Sequence, residues 1–286
     1  MQTKTFKVEK AMMLGAFIKA NVFGAGFAFV KNILKSKDVK INGTRTSVDV
    51  MLNKGDTVQI YYAEDAIKNY VPFKRIYDDE NILVVFKNQG IEVTSPHNKN
   101  TLEKLVGYEA VHRLDVNTEG LVIFAKNTWA AEELKQAFIG NHIKKGYLAL
   151  VIGNLNKSPI TLIGYLKKDA SAGMVEVIKE KPLGEKGYVE IKTTITKIKP
   201  VREFNLLKIQ PITGRTHQIR AHLASIKLYI LGDGKYGNAK MNKVYGYTKQ
   251  CLCASELEFD FPPEFKLSYL NKKKLEVTPA FLKTKN

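Results

Sequence analysis

Cysteine is scarce in this chain of 286 residues, which has only Cys251 and Cys253. The two stand one residue apart in an apolar segment whose composition predicts a strand, so their side chains would share one face. Strand neighbours of this kind rarely form a disulfide, and no second cysteine pair exists to complete a zinc site. We therefore expect two buried thiols in a reducing compartment.

Long apolar runs are also lacking. The best candidate, 11–30, follows three lysines and so has the outline of a signal sequence or membrane anchor. Lys19 and Asn21 interrupt it at the centre, where a charged side chain costs about 2.5–3.5 kcal/mol on membrane insertion. This pattern argues against a membrane or exported protein, and we expect a cytoplasmic one.

Acidic residues are too few to balance the basic ones. Lys and Arg number 45 against 28 Asp and Glu, which gives a formal net charge of +17. Such an excess indicates a polyanionic partner, because each phosphate that is neutralised releases counterions. Nucleic acid is the leading candidate and an anionic membrane surface is the second, while a role in solubility alone also fits the charge.

Residues 1–62 are predicted to form a small module. Apolar residues at helical spacing predict two short helices, and Val39–Ile41 followed by the turn Asn42-Gly43 predicts a β-hairpin. An alternating strand follows at 58–61. The second helix and the next turn carry four lysines, which are Lys31, Lys35, Lys37 and Lys40. A solvated basic face and a phosphate-binding face both fit this cluster.

The order of two short helices, VKING and LNKGDTVQI resembles the alpha-L RNA-binding module, which a small-subunit ribosomal protein shares with several RNA-modifying enzymes. The resemblance implies a small α/β RNA-binding domain whose second helix and turn bring the four lysines onto RNA phosphates. The first helix departs from the family pattern, because neither Arg nor Asp opens it and glycines follow it.

A polar linker ending in Pro72 is predicted for 63–72, and one larger domain for 73–286. Strands are predicted at 82–86, 121–125, 147–152, 189–195, 204–209 and 251–261, and helices at 129–138 and 214–227. So few helices among so many strands indicate an α+β fold. We expect a largely antiparallel, mixed β-sheet flanked by helices rather than a doubly wound sheet.

The segment HRLDVNTEGL places the carboxylate of Asp115 between Arg113 and a polar turn, directly before an apolar strand. Such loops often carry function, because a rigid sheet holds them in place. An aspartate in a turn also commonly hydrogen-bonds the local backbone. The residues by themselves leave both roles open for Asp115.

The fuller segment HRLDVNTEGLVIFAKN resembles the central motif of the RluA-type family of pseudouridine synthases, which isomerise uridine in RNA. The resemblance implies that Asp115 is the catalytic residue. It also implies that Arg113 fills the stack that the flipped base vacates. Glu119 stands where a small residue is commoner in the family.

Two further segments agree with this family in their order and spacing along the chain, and an upstream segment agrees in part. IKKGYLALVIG implies that Tyr147 stacks on the target uracil and that Lys145 contacts RNA, although Tyr147 taken alone would be an ordinary strand aromatic. LKIQPITGRTHQIRAHL with LGDGKYG implies that Arg220 pairs with the catalytic carboxylate. ILVVFKNQGIEV matches only in part, with Asn88 in place of proline, and implies a structural or phosphate-contacting role for Lys87.

The chemistry suits these residue types. A carboxylate acts as nucleophile or base and stays ionised when a guanidinium is close, which Arg220 would provide. Base flipping costs a few kcal/mol, and stacking on Tyr147 with insertion of Arg113 would offset that cost. The reaction requires no metal, nucleotide or redox cofactor. Whether Asp115 attacks the ribose or the base, and which group removes the final proton, stays open.

A metal site is not predicted. On a helix His217 and His222 would lie about 140° apart at ~100° per residue, so they would not share a face. We expect His217 to brace its loop and His222 to pack in the interior.

Two other functions compete with RNA pseudouridine synthesis. A non-catalytic RNA-binding ribosome-assembly factor suits the charge equally well but does not require Asp115, Tyr147 and Arg220 together. A nucleoside or glycoside hydrolase normally needs two carboxylates, and in the motif around Asp115 only Glu119 could provide the second one. We therefore expect a monomeric enzyme that acts on structured RNA, with ribosomal RNA preferred to transfer RNA.

Overall fold

The structure, a computed structural model, describes residues 2–22, 25–63, 72–96, 98, 100–169, 173–181 and 183–283. The predicted linker 63–72 lies outside the described residues except for its first and last positions. The chain divides into two compact units, Met1–Lys74 with Gly90–Gly107 and Arg75–Gln89 with Tyr108–Asn286. The domain limits 1–62 and 73–286 stay a prediction, and the first unit also includes the segment 90–107, which lies within the predicted larger domain.

The first unit contains two small sheets and three helices among its described residues. Its strands are β1 (Gln2–Lys7), β2 (Met12–Met13), β3 (Val39–Ile41), β4 (Thr44–Thr46), β5 (Met51–Leu52) and β6 (Thr57–Tyr62), and its helices are α1 (Leu14–Asn21), α2 (Phe27–Lys35) and α3 (Leu102–Val106). One sheet has the order β1-β6-β3-β4, and β2 pairs with β5. The apolar faces of α1 and α2 pack on the larger sheet, as their helical spacing predicts.

The predicted hairpin joins β3 to β4. Asn42 and Gly43 have φ angles of +49° and +84°, as a two-residue turn between antiparallel strands requires. The Asn42 carboxamide oxygen accepts the amide N–H of Thr57 at 2.8 Å, and its amide nitrogen donates to Asp56 at 2.9 Å. The turn therefore also ties β6 to the hairpin.

A twelve-stranded sheet dominates the rest of the described chain. Its strands are β7 (Phe73–Asp78), β8 (Ile82–Lys87), β9 (Glu109–Ala110), β10 (Glu119–Ala125), β11 (Ile143–Ile152), β12 (Ile160–Asp169), β13 (Met174–Ile178), β14 (Val189–Val201), β15 (Phe204–Pro211), β16 (Tyr229–Ile230), β17 (Leu252–Phe259) and β18 (Lys274–Glu276). The main path is β13-β12-β14-β15-β11-β17-β10-β8-β7. Among the described strands β8 to β18, paired neighbours run antiparallel except β10 and β17, which confirms the predicted α+β fold with a largely antiparallel mixed sheet.

Strand β10 lies between β17 and β8 in this sheet and is buried along its whole length. It pairs with β8 on one side and, over Glu119 and Gly120, with β17 on the other. Gly120 has φ +126°, and a Cβ there would lie 2.3 Å from the carbonyl oxygen of Ala254. Only glycine allows this close approach, which fixes where the loop 111–118 leaves the sheet.

Helices α4 (Thr128–Ile139), α5 (Gln218–Ser225) and α6 (Ala239–Val244), with 3₁₀ turns at Lys266–Leu270 and Ala280–Leu282, complete the second unit. In α4 the buried residues Ala130, Leu134 and Ala137 recur at helical spacing and pack in the core beside β10. The predicted start of α5 at 214 was wrong, because His217 has φ +55° and precedes the first helical residue.

Both cysteines are buried free thiols, as predicted. Burial raises the pKa of Cys251 to about 12 and that of Cys253 still further, so both stay protonated. Among the described residues, no helix combines the length and the apolar character needed to span a membrane.

Candidate active site

A cavity of about 560 Å³ lies within the second unit. It is lined by the loop before β10, the end of α4, the start of β11 and the segment from the end of β15 into α5. Five predicted site residues meet there, namely Arg113, Asp115, Lys145, Tyr147 and Arg220. These residues are distant from one another in sequence, and the sheet brings them together.

The loop that carries Asp115 is held from several sides. The imidazole of His112 accepts the amide N–H of Ile123 in β10 at 3.0 Å. The Thr118 hydroxyl accepts a bond of 2.8 Å from the amide of Gln250. Burial lowers the pKa of His112 to about 3, so this imidazole is a neutral acceptor.

The turn at Asp115 is closed by its backbone rather than by its side chain. The Asp115 carbonyl oxygen accepts the amide N–H of Thr118 at 3.0 Å. Within the described residues, the carboxylate instead accepts one hydrogen bond, of 2.8 Å, from Nη1 of Arg220 to Oδ2. The side chain is therefore not occupied in stabilising its own loop, which was one of the two roles that the sequence left open.

Arg220 is buried and touches two carboxylates. Its Nη1 donates to Asp115, which is the pairing that the family resemblance implies, while Nε and Nη2 donate to Asp233 at 2.7 and 2.8 Å. Burial alone would lower the pKa of Arg220, but the hydrogen bonds and charges of Asp233 and Asp115 raise it above its ordinary value. The guanidinium is a permanent charge beside Asp115.

Asp233 was missed by the sequence analysis, which gave the segment LGDGKYG only as part of a family resemblance and assigned no role to its aspartate. Gly232 has φ +71°, and a Cβ there would lie 1.9 Å from the carbonyl oxygen of Lys249, so glycine is required in this turn. The turn places Asp233 in the interior, where it also accepts the amide N–H groups of Lys235 and Tyr236. The signal for it was an acidic residue between two glycines, shortly after a buried arginine.

Tyr147 is 9% exposed and lines the cavity. The pairing of β11 with β17 shifts register between Gly146 and Tyr147, and such a bulge redirects the side chains that follow it. Burial, with the nearby charge of Asp115, raises the pKa of Tyr147 well above its ordinary value. Its phenol is therefore protonated at neutral pH, which suits a flat stacking surface better than a base.

The cavity is strongly cationic. Four of its lining residues carry positive side chains, Arg113, Lys145, Arg215 and Arg220, whereas Asp115 is the single carboxylate among the described lining residues. Lys145 lies with its Nζ 5.2 Å from the ring centroid of Phe138, and burial lowers its pKa. This charge balance favours a phosphate-bearing ligand and disfavours a hydrolase that needs two carboxylates.

Lys87 does not line this cavity, and its predicted phosphate contact was wrong. The side chain is 0% exposed, and its Nζ donates to the carbonyl oxygens of Asn88 and Val116 at 3.0 Å each. Burial lowers the pKa of Lys87 to about 7, although Asp115 and Glu119 oppose that shift. Of the two roles expected for Lys87, the structural one fits, because its bond to Val116 holds the loop next to Asp115.

The four predicted lysines of the first unit lie on its surface. Lys31, Lys35 and Lys37 are exposed, and Lys40 is half-buried with its Nζ 5.5 Å from the ring centroid of Tyr61. The sequence analysis missed Arg45, whose guanidinium carbon lies 5.4 Å from the same ring. These four lysines are accessible to solvent, and together we call them the basic face.

The two histidines of α5 and its N-terminus have separate environments. His217 contacts Tyr236 and approaches Asp115 from inside the cavity. His222 is buried, its Nδ1 lies 3.0 Å from the Thr193 hydroxyl, and burial lowers its pKa to about 4. Within the described part of the chain, no group of His, Cys, Asp and Glu residues has the arrangement of a metal site.

A known family matches the part of the chain that builds most of this cavity. Residues 81–225, about half of the chain, match the family model described as RNA pseudouridylate synthase. This range contains Asp115, Tyr147 and Arg220.

Several curated proteins are similar in sequence. An RNA pseudouridine synthase of Mycoplasma genitalium is 33% identical over 259 residues, covering 79% of this chain and 79% of that one. The ribosomal large subunit pseudouridine synthase D of Borreliella burgdorferi is 28% identical, covering 80% and 77%. A mitochondrial tRNA pseudouridine(32) synthase of Saccharomyces cerevisiae is also 28% identical, but only 47% of that protein is covered, against 73% of this chain.

A solved structure, human RNA pseudouridylate synthase domain containing 4, superposes with a TM-score of 0.57. It shares 21% sequence identity, and the match covers 73% of this chain and 89% of that one. At this identity the similarity supports the fold alone.

Proposed function

Because this chain belongs to the RluA-type family of RNA pseudouridine synthases, and so is an isomerase that acts on RNA, we propose that Asp115 carries the isomerisation. The proposed substrate is a uridine of large-subunit ribosomal RNA that flips out of its stack into the cavity. In the reaction the bond from C1′ to N1 breaks, a bond from C1′ to C5 forms, and C5 gives up a proton while N1 gains one.

The environment of Asp115 is the observation that carries this proposal. Its carboxylate is 19% exposed, faces the cavity and is anchored through Oδ2 by the buried Arg220. Among the described residues Oδ1 accepts no hydrogen bond, so one oxygen is held while the other is available to the nucleoside. A nucleophile or base needs this combination of a fixed position and a free lone pair.

The cavity walls supply what base flipping requires. The proposed roles are stacking on the uracil for Tyr147 and entry into the vacated stack for Arg113, which is exposed at the cavity. Stacking of an aromatic ring on a base is worth about 1–3 kcal/mol, similar to the cost of unstacking one nucleotide. Lys145 would hold a phosphate next to the target nucleotide.

The choice of ribosomal RNA rests on two supports. A relative of 28% identity that covers most of this chain is named as a ribosomal large-subunit enzyme. The basic face of the first unit, with Lys31, Lys35, Lys37 and Lys40, suits the dense phosphates of a large folded RNA. The yeast relative that is named for tRNA makes transfer RNA the alternative substrate. We expect a monomer that acts in the cytoplasm, where these RNAs fold.

The test is pseudouridine mapping of ribosomal and transfer RNA from cells that carry either the wild-type protein or Asp115→Asn. We expect one or a few ribosomal sites to be lost with the variant. A binding measurement on purified protein is the control, since Asp115→Asn keeps the shape of the side chain and should keep its affinity for RNA. If no site changes while binding persists, Asp115 does not carry the isomerisation of these RNAs and the proposal fails.

A further inference from the structure

We propose that His217 is a positioning residue for the isomerisation, because its Nε2–H, fixed in place by Tyr236, acts as a second donor to Oδ2 of Asp115. This inference rests on the proposed catalytic role of Asp115. Arg220 would then share the task of holding the carboxylate. His217 lines the same cavity as Asp115 and Arg220.

Both nitrogens of the His217 ring face functional groups. Nδ1 lies 3.0 Å from the hydroxyl oxygen of Tyr236, and Nε2 lies 3.8 Å from Oδ2 of Asp115. The rings of His217 and Tyr236 meet edge to face, with centroids 5.5 Å apart. The contact with Tyr236 therefore holds the imidazole at Nδ1, and Nε2 is the ring nitrogen nearest to the Asp115 carboxylate.

The tautomer follows from the partners of Tyr236. Its hydroxyl oxygen already accepts the amide N–H of Val175 at 2.7 Å, and we assign its own hydrogen to Nδ1 of His217, which lies 3.0 Å away. A neutral imidazole that accepts at Nδ1 carries its hydrogen on Nε2, on the side of Asp115. Burial lowers the pKa of His217, which keeps this imidazole neutral at physiological pH.

The backbone of His217 is held in a conformation that most residues avoid. Its φ angle of +55° is left-handed, and it stands as the last residue before α5. The side chain of Gln218 fixes the preceding turn, since its carbonyl oxygen accepts from the Thr213 hydroxyl at 2.8 Å and from the Arg215 amide at 3.0 Å. Left-handed residues that the surroundings hold in this way are concentrated at functional sites.

The geometry gives His217 a specific task. Nη1 of Arg220 and Nε2 of His217 lie 2.8 and 3.8 Å from the same oxygen, Oδ2, so two donors would fix the rotation of the Asp115 carboxylate and leave Oδ1 for the substrate. The separation of 3.8 Å between Nε2 and Oδ2 is long for a hydrogen bond. Bonds of this kind are often long without substrate and shorten in the reacting complex.

The matched test compares His217→Gln with His217→Leu. Both side chains are unbranched at Cβ and place the same demand on the left-handed backbone, but only glutamine supplies an N–H near the position of Nε2. We expect the single-turnover rate of His217→Leu to be lower by about tenfold or more, which is the effect of removing a group that orients a metal-binding side chain. For His217→Gln we expect a nearly normal rate. RNA affinity and thermal midpoint serve as controls and should agree between the two variants.

A pH profile separates this role from simple packing. The charged and titratable groups around His217 are Asp115, Arg220, Asp233, Lys235 and Tyr236. Tyr236→Phe removes the donor to Nδ1, so the His217 ring protonates more readily. The added positive charge beside Oδ2 then makes Asp115 a weaker nucleophile or base. We expect the acidic limb of the rate profile to move to higher pH in Tyr236→Phe and to return in the double variant with His217→Gln, which does not titrate.

His217 is not a donor to Asp115 if His217→Leu reacts at the wild-type rate. The same conclusion holds if the Gln and Leu variants are equally slow and Tyr236→Phe leaves the pH profile unchanged. Loss of activity in Asp115→Asn alongside either result would leave the proposed function intact. Retention of activity in Asp115→Asn would overturn both proposals.

Discussion

Two parallel hydrogen bonds, of 2.7 and 2.8 Å, join the guanidinium of Arg220 to the carboxylate of Asp233. They occupy Nε and Nη2 and leave Nη1 for Asp115. The ring of Tyr236 lies beside the guanidinium, 5.0 Å from Cζ. Asp233 does not line the cavity, yet it sets the orientation of the group that holds Asp115. Because a guanidinium is planar, fixing two of its nitrogens fixes the direction of the third.

Replacement of Asp233 by alanine should both destabilise the protein and slow the reaction. The Arg220 and Asp233 side chains are 6% and 1% exposed, and removal of one partner from a buried pair costs about 3–5 kcal/mol. Urea unfolding measures the change in stability, and single-turnover kinetics measures the change in rate. The double variant Arg220→Met with Asp233→Leu is the control, since an apolar pair should recover stability without activity. An Asp233→Ala protein as stable as wild type would contradict the prediction.

Lys87 should make stability depend on alkaline pH. Its pKa is about 7 in the folded protein against 10.5 for an exposed lysine, so between these values the unfolded chain binds more protons. The free energy of unfolding of the wild type should therefore rise relative to Lys87→Met from pH 7 toward pH 10, by up to about 1.4 kcal/mol per pH unit. Below pH 7 the difference should be constant. Urea unfolding of both proteins at a series of pH values measures it, and a flat difference would show that Lys87 stays charged.

The basic face of the first unit should govern affinity for RNA and the dependence of that affinity on salt. Replacing Lys31, Lys35 and Lys37 together by glutamine should weaken RNA binding and lower the salt slope by about 1 for each phosphate that the variant no longer neutralises. The single-turnover rate at saturating enzyme should stay close to that of the wild type, because none of these lysines lines the cavity.

The control for that experiment changes the same net charge elsewhere. Lys240, Lys243 and Lys272 are exposed residues of the second unit, and their triple glutamine variant should bind RNA more tightly than the first one. Equal weakening by both variants would mean that overall charge, and not the basic face, determines affinity.

Glu119 should anchor the C-terminal segment to β10. Its Oε1 accepts the amide N–H of Ala280 at 2.8 Å, and burial raises its pKa. In Glu119→Ala this amide loses its acceptor, so hydrogen exchange at Ala280 should accelerate, whereas Glu119→Gln keeps an acceptor and should keep the protection. Unchanged exchange in the alanine variant would contradict the anchoring role.

The raised pKa of Glu119 also determines whether its contribution to the free energy of unfolding rises or falls with pH. The stability that it contributes is present below the value of 4.5 for an exposed glutamate and is lost as the pH rises through its folded value. Glu119→Gln cannot ionise, so it should gain stability relative to the wild type as the pH rises from about 4. Urea unfolding of both proteins across that range measures the change.

Local sequence was enough to determine much of this protein. Asp115, Tyr147 and Arg220 stand in motifs whose residue types and spacing identify the family, and apolar β-rich runs predicted the strands on either side of them. The Asn42-Gly43 turn and the face of α4 were likewise predictable. These features depend on neighbours a few residues away, where backbone geometry alone sets which side chains share a face.

Only the tertiary structure decided the rest. Arg220 and Asp115 are 105 residues apart in sequence but form a hydrogen bond in the structure. Asp233, to which the sequence analysis assigned no role, binds the same guanidinium from the other side of α5 in sequence. Lysine is a residue type that usually lies at the surface, but the packing of β8 beside the loop of Asp115 buries Lys87. Its bond to the Val116 carbonyl oxygen then stabilises that loop. Strand register and burial bring such groups together, and both are set by the packing of the whole sheet rather than by any one segment.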